Sequence, residues 1–141
     1  MKYFNTAGPC IPGMHYMLPA EPRLPEARGL VERGNYFVLH APRQTGKTTT
    51  LAELARALTI EGRYAAIRFS CETAEVTGDD YLAGQRSVLA SIASAARYQL
   101  PPDQQPPQPW PAADPTQQLL EGLGAWAARS RPSMWRPRRS G

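Results

Sequence analysis

Cysteine is scarce in this chain of 141 residues, an excess of one charge is missing from most of it, and nowhere do apolar residues run long. The two cysteines, Cys10 and Cys71, allow at most one disulfide. Neither a paired-cysteine spacing nor a Cys/His cluster surrounds them, which argues against a structural zinc site. No stretch approaches the roughly 18 consecutive apolar residues of a membrane span. The opening MKYFNTAGPCIPGMHYMLPA also lacks the unbroken apolar core of a secretory signal. The chain therefore reads as soluble and cytoplasmic. Its formal charge of +4 is a property of one end: Arg129, Arg131, Arg136, Arg138 and Arg139 leave 11 basic and 12 acidic groups in residues 1–128. A body this close to neutrality makes no electrostatic case for a nucleic-acid partner.

Proline is abundant instead, 15 in all and unevenly placed. No internal repeat is visible. Residues 1–25 hold Pro9, Pro12, Pro19, Pro22 and Pro25 among aromatics and methionines, which predicts an irregular lead-in packed by side chains. A short helix is expected from Pro25 to Arg33, stopped by Gly34. NYFVLHA (35–41) is a continuous apolar, β-rich run of the kind buried in a parallel sheet. TTTLAELARALTIEG then sets Leu51, Leu54, Ala55 and Leu58 at helical spacing, ended by Gly62. RYAAIRFSC (63–71) reads as a second strand. DDYLAGQRSVLASIASAARYQL reads as a long helix burying Leu82, Leu89, Ile92, Ala93 and Ala96, started by Asp79 or Asp80. The order strand, helix, strand, helix predicts an α/β domain with parallel strands over residues 1–128. Residues 101–115, with seven prolines and Trp110 as an anchor, predict a stiff surface connection. A last helix carries Leu119, Leu120, Leu123 and Trp126, weakened by Gly122 and Gly124. Residues 129–141 read as a basic, disordered tail.

Between the first strand and its helix stands APRQTGKTT, residues 41–49. Holding a phosphate chain takes converging backbone N–H groups, a helix N-terminus and a fixed cation. Ala41, four intervening residues (Pro42, Arg43, Gln44 and Thr45), then Gly46, Lys47 and Thr48 fit the P-loop spacing, with Thr49 completing the first turn. Gly46 would let the backbone approach, Lys47 would bridge the β- and γ-phosphates of ATP, and the Thr48 hydroxyl would be a ligand of Mg²⁺. Ala41 stands where the strict motif has glycine. Its methyl group narrows the backbone choices but removes no N–H donor.

MKYFNTAGPC, HYMLP and YFVLHAPRQTGKTTTLAELARAL followed by RYAAIRFSCE resemble the N-terminal part of the bacterial AAA-like ATP-binding proteins, P-loop ATPases related to the AAA+ and STAND groups. The likeness spans roughly residues 1–125. It implies a partial P-loop NTPase fold, ATP and Mg²⁺ as ligands, coupling of ATP to conformational change or assembly, and an adenine contact near His15, Tyr16 and Met17, for which plain packing is the alternative. It also implies a Walker B strand tipped by acidic residues after the helix LLEGLGAWAARS. Here RPSMWRPRRSG follows, with no Asp or Glu. The expectation is a chain truncated or frameshifted before that strand, since Arg, Pro, Ser, Trp and Gly are what GC-rich DNA yields out of frame. A naturally short protein with a basic tail is the alternative. Hydrolysis by this chain is accordingly doubtful.

Glu72 and Glu75 could lie at a ligand-binding sheet edge or be solvated loop carboxylates. Arg43 and Gln44 could touch a γ-phosphate or a partner subunit, or be exposed loop tips. Cys71 is expected to be a buried small apolar residue, since no histidine is placed to activate it. His40 is expected to pack at a strand end. Three other functions stay open: a P-loop kinase or transferase, a non-catalytic adaptor offering residues 101–115 as a polyproline ligand, and a basic nucleic-acid arm at the C-terminus. Self-association or a protein partner fits the resemblance, and the lack of a long apolar run argues against a membrane partner.

Overall fold

A computed structural model describes residues 1–129 apart from Asn5, Ala7, Gly8, Pro9, Pro12, Leu18, Gln44 and Ala113. The C-terminal tail expected from residue 129 onward thus lies, past Arg129, outside the described residues. Among the described residues five α-helices follow one another: α1 (Ala20–Arg23), α2 (Ala27–Glu32), α3 (Lys47–Ile60), α4 (Tyr81–Gln99) and α5 (Gln118–Arg129), with short 3₁₀ turns at Glu72–Thr77, Pro102–Gln104 and Pro115–Gln117. The chain separates into two compact units between Ala57 and Leu58, within α3.

In the first unit the lead-in is a small tied loop. Tyr3 and His15 form an isolated parallel bridge, with Tyr3 N–H donating to Met14 O and Tyr16 N–H to Tyr3 O, both at 3.1 Å. The chain reverses at Gly13, whose φ of 88° suits glycine. Helix α2 ends as its sequence predicts: Gly34 takes φ 69°, and Asn35 N–H reaches back to Leu30 O at 2.9 Å, satisfying a carbonyl the helix leaves orphaned. Helix α3 buries Leu54, Ala55 and Leu58 of the expected stripe, leaves Leu51 half-buried, and buries Thr50, to which the spacing does not point.

The second unit is built around α4, which buries Leu89, Ile92 and Ala96 and packs against the Glu72–Thr77 turn and α5. Asp80 caps α4 by accepting from Ala83 N–H at 2.9 Å. Gln85, buried on α4, uses both ends of its amide: Nε2 donates to Thr116 O (3.0 Å) and Oε1 accepts from Leu119 N–H (3.2 Å), fastening α4 to the start of α5. Trp110 anchors the proline-rich stretch edge-on against Trp126 at 5.9 Å, and Trp126 Nε1 donates to Gln104 O at 2.8 Å.

The expected parallel α/β fold is not formed. Among the described residues there is no sheet, and both segments read as strands, 35–41 and 63–71, lie outside any ladder. Their apolar and aromatic composition describes a surface made to be covered by neighbouring strands, and two such segments supply too few partners for a stable sheet. Tyr36 and Val38 are left exposed. In residues 66–70 helix side chains take the place of one neighbour. Thr59 Oγ1 accepts from Ala66 N–H (2.9 Å) and donates to Ala66 O (3.1 Å). The Gln99 amide accepts from Arg68 N–H (2.9 Å) and donates to Arg68 O (2.8 Å), and Ser91 Oγ donates to Ser70 O (2.8 Å). Alternate residues of an extended chain turn their backbone groups to the same side, so α3 and α4 satisfy one edge of this segment. Ala65, Ile67 and Phe69 make no backbone hydrogen bond to a described residue.

Two experiments probe this packing. A Cβ on Gly122 would sit 3.0 Å from Trp110 Cε3, whereas nothing approaches one on Gly124. Gly124→Ala should therefore raise stability by up to about 1 kcal/mol through helix propensity. Gly122→Ala should lower it by about 1–3 kcal/mol through overpacking, as read from urea unfolding. Asp114 accepts from both Thr116 N–H and Thr116 Oγ1 at 2.8 Å, the backbone bond foremost in holding its carboxyl below the ordinary 3.8. A depressed folded value contributes stability that is present above about pH 4 and lost as pH falls through that lower value. Asp114→Asn should remove this acid-side loss, visible as a flatter melting temperature between about pH 4 and pH 2.

Candidate functional site

The loop ahead of α3 holds the sequence's most specific motif, and its geometry follows from a few residues. Gly46 adopts φ 79°, a left-handed conformation that redirects the chain into the helix at Lys47. Helix α3 carries no acidic residue in its first turn, so the positive end of its dipole is not offset by a carboxylate of its own. Lys47 folds back over the loop, its Nζ donating to Ala41 O and, at 2.7 Å, to Pro42 O. Thr45 Oγ1 donates to the same Pro42 carbonyl at 2.9 Å, and Thr50 Oγ1 donates to Gly46 O at 2.9 Å. The loop's carbonyls are thus held by side-chain donors. The ammonium already makes charge-assisted bonds to these neutral carbonyls, and exchanging them for anionic phosphate oxygens would add the attraction of a second, opposite charge.

Arg23, at the end of α1, joins this loop. Its Nη2 donates to Thr45 O at 2.6 Å and its Nη1 to Thr50 Oγ1 at 3.3 Å. Nothing in the spacing of residues 23 and 45 announces the contact. The one hint is a basic residue just before Leu24 and Pro25, at the end of a four-residue helix. The lead-in meets the helix start a second time where Cys10 N–H donates to Thr49 Oγ1 at 3.4 Å.

The sequence-predicted residues are distributed as follows. Ala41, Pro42, Thr45, Gly46, Lys47, Thr48 and Thr49 lie together in and after the loop, Arg43 is exposed at its turn, and Gln44 lies outside the described residues. Thr48 is exposed, its hydroxyl making no hydrogen bond to a described residue, which suits an oxygen ligand. No group of three or more His, Cys, Asp or Glu able to hold a metal occurs among the described residues. A Mg²⁺ ion here would take the Thr48 hydroxyl and draw its other ligands from phosphates and water, the usual habit of this ion.

Of the residues expected near an adenine, His15 is buried at 6% exposure. Its Nδ1 accepts from Ile11 N–H at 2.8 Å and its ring stands edge-on to Tyr3 at 4.8 Å. These contacts are those of a packing residue. Tyr16 is exposed with Phe4 against its ring at 4.9 Å, and Met17 is half-buried. Two minor expectations are corrected: Cys71 is exposed rather than buried, and His40 is exposed rather than packed at a strand end, because no sheet covers either segment. Glu72 and Glu75 are exposed on the Glu72–Thr77 turn.

The second unit holds a cleft of about 540 Å³ lined by Phe69, Ser87, Ser91, Ser94 and Gln99, with Arg68 as its one charged wall residue. It pairs no acid with a base, and no chemistry follows from it. No helix among the described residues is long and apolar enough to cross a membrane. No family model matches the chain, and neither a curated protein nor a solved structure is found to be similar to it.

Gly46→Ala should destabilise the first unit by about 1–2 kcal/mol, since an L side chain at φ 79° is strained and its Cβ would stand 3.0 Å from Arg23 Nη1. Gly62→Ala makes the comparison. Gly62 has a similar φ of 77° but open space around it, so the excess cost at Gly46 in thermal unfolding measures the displacement of Arg23 and of the hydrogen bonds it makes.

Proposed function

We propose that residues 41–49 bind the phosphates of a nucleoside triphosphate, with Mg-ATP as the ligand implied by the likeness to AAA-like ATP-binding proteins. The observation that carries this reading is the coincidence of three features: a motif with P-loop spacing, a helix beginning at its lysine with no acid in its first turn, and a lysine ammonium folded over the loop. In this reading Lys47 leaves the Ala41 and Pro42 carbonyls for the β- and γ-phosphate oxygens. The N–H groups opening α3 take the same anion, and Thr48 contributes a hydroxyl to the ion it carries. The proposal is for binding. The residues named here hold and orient phosphates, and none is assigned the activation of a water molecule.

The adaptor alternative receives less support. Trp110 stands against Trp126 and Gln105 Nε2 donates to Leu100 O at 3.3 Å, so the middle of the proline-rich stretch is engaged within the second unit, while Pro101, Pro102, Pro109, Pro111 and Pro115 are exposed.

A thermal melt with and without Mg-ATP tests the reading. At a hundredfold excess over the dissociation constant, ligand binding to the folded state alone adds about 2.7 kcal/mol. In a chain of this size that should raise the melting temperature by roughly 5–10 °C. Lys47→Ala should melt near the wild-type temperature without ligand and show no rise with it. An equal rise in both proteins would remove the loop from the ligand site.

A further inference from the structure

Gly46 solves one problem of the loop and creates another. Its φ of 79° is open to glycine at little cost, but glycine visits positive and negative φ about equally readily, so nothing intrinsic keeps the Thr45–Gly46 peptide in one orientation. That peptide is trans, and a trans peptide points its C=O and its N–H to opposite sides. With Thr45 O held by Arg23 Nη2 at 2.6 Å, Gly46 N–H is turned away from the guanidinium. The other arm of Arg23 rests on Thr50 Oγ1 at 3.3 Å, and that hydroxyl donates to Gly46 O at 2.9 Å. Thr50 is 4% exposed on α3 and gives the guanidinium a fixed anchor. Thr45 O is thus held by Arg23 directly, while Gly46 O is held by Thr50, whose backbone N–H (2.9 Å) and hydroxyl both donate to it and whose hydroxyl accepts from Arg23.

Resting on the phosphate-binding reading above, we propose that Arg23 is a positioning residue of the loop, locking the Thr45–Gly46 peptide so that Gly46 N–H is presented to the ligand's phosphates. Lys47 meets the anion; Arg23 works from the carbonyl side of the loop and does not touch it. The role needs a fork. A guanidinium reaches two acceptors with separate N–H groups, whereas a lysine ammonium on the same stem is a point charge suited to one. Because Arg23 closes α1, the lead-in is part of the phosphate site. Whatever draws α1 away also releases the peptide.

The test measures binding of Mg-tripolyphosphate to the full-length chain by calorimetry in wild type, Arg23→Ala, Arg23→Lys, Thr50→Val and Lys47→Ala. The Gly46 amide is followed in ¹H–¹⁵N spectra. Arg23→Ala and Arg23→Lys should each bind about tenfold more weakly, the worth of one charge-assisted hydrogen bond. The downfield movement of the Gly46 amide on binding should shrink in both, and Thr50→Val should move the same way. Wild-type affinity in Arg23→Lys would mean that charge alone matters, and wild-type affinity in Arg23→Ala would mean no role; either overturns the proposal. If Arg23→Ala does not melt cooperatively, Arg23→Lys and Thr50→Val decide. No binding by the wild type would remove the phosphate-binding reading and this one together. Binding by the wild type, none by Lys47→Ala and unchanged binding by the Arg23 variants would remove only the role of Arg23.

Discussion

Where a backbone group has no strand to pair with, a side chain takes the strand's place at several positions in both units of this chain. The Gln99 amide meets Arg68 N–H and C=O as a neighbouring strand would, and Thr59 does the same for Ala66. Around the loop, Lys47, Thr45, Arg23 and Thr50 each donate to a main-chain carbonyl. Most of these bonds lie in exposed positions, so their effect is to fix which way the backbone faces rather than to spare a buried peptide group. In the loop that orientation is the functional property, since carbonyls turned toward side chains leave N–H groups turned the other way.

Much of the helical structure is legible in the sequence because it depends on local rules. The stripe Leu54, Ala55 and Leu58, the cap Asp80 and the stops Gly34 and Gly62 act within one or two turns of themselves. Trp110 is legible too, as a large aromatic in a stretch with little else to bury. The sheet is where the reading goes wrong. Residues 35–41 and 63–71 have strand composition, but composition records what a segment is fit to pair with, while a ladder requires that the pairing residues be there. Cys71 and His40 are misplaced for the same reason: their burial is inferred from a layer that does not form.

The candidate site divides along the same line. Gly46, Lys47 and Thr48 are adjacent and announce themselves by spacing. Arg23 is not, because its contact with Thr45 spans 22 residues and depends on how the lead-in folds back. His15 is ambiguous in the sequence, since a histidine among aromatics serves packing and ligand binding equally well. Its Nδ1, taken by Ile11 N–H, and the edge of Tyr3 against its ring give it a packing role in this fold.

Residues 65–69 carry a last consequence. Ala66 and Arg68 are sealed by helix side chains, but the alternating backbone groups of Ala65, Ile67 and Phe69 make no hydrogen bond to a described residue. A half-sealed edge of this kind is a template on which further chain can be laid. Its cost depends on how crowded the surroundings are: in dilute solution water satisfies these groups, and as concentration rises other polypeptides compete for them.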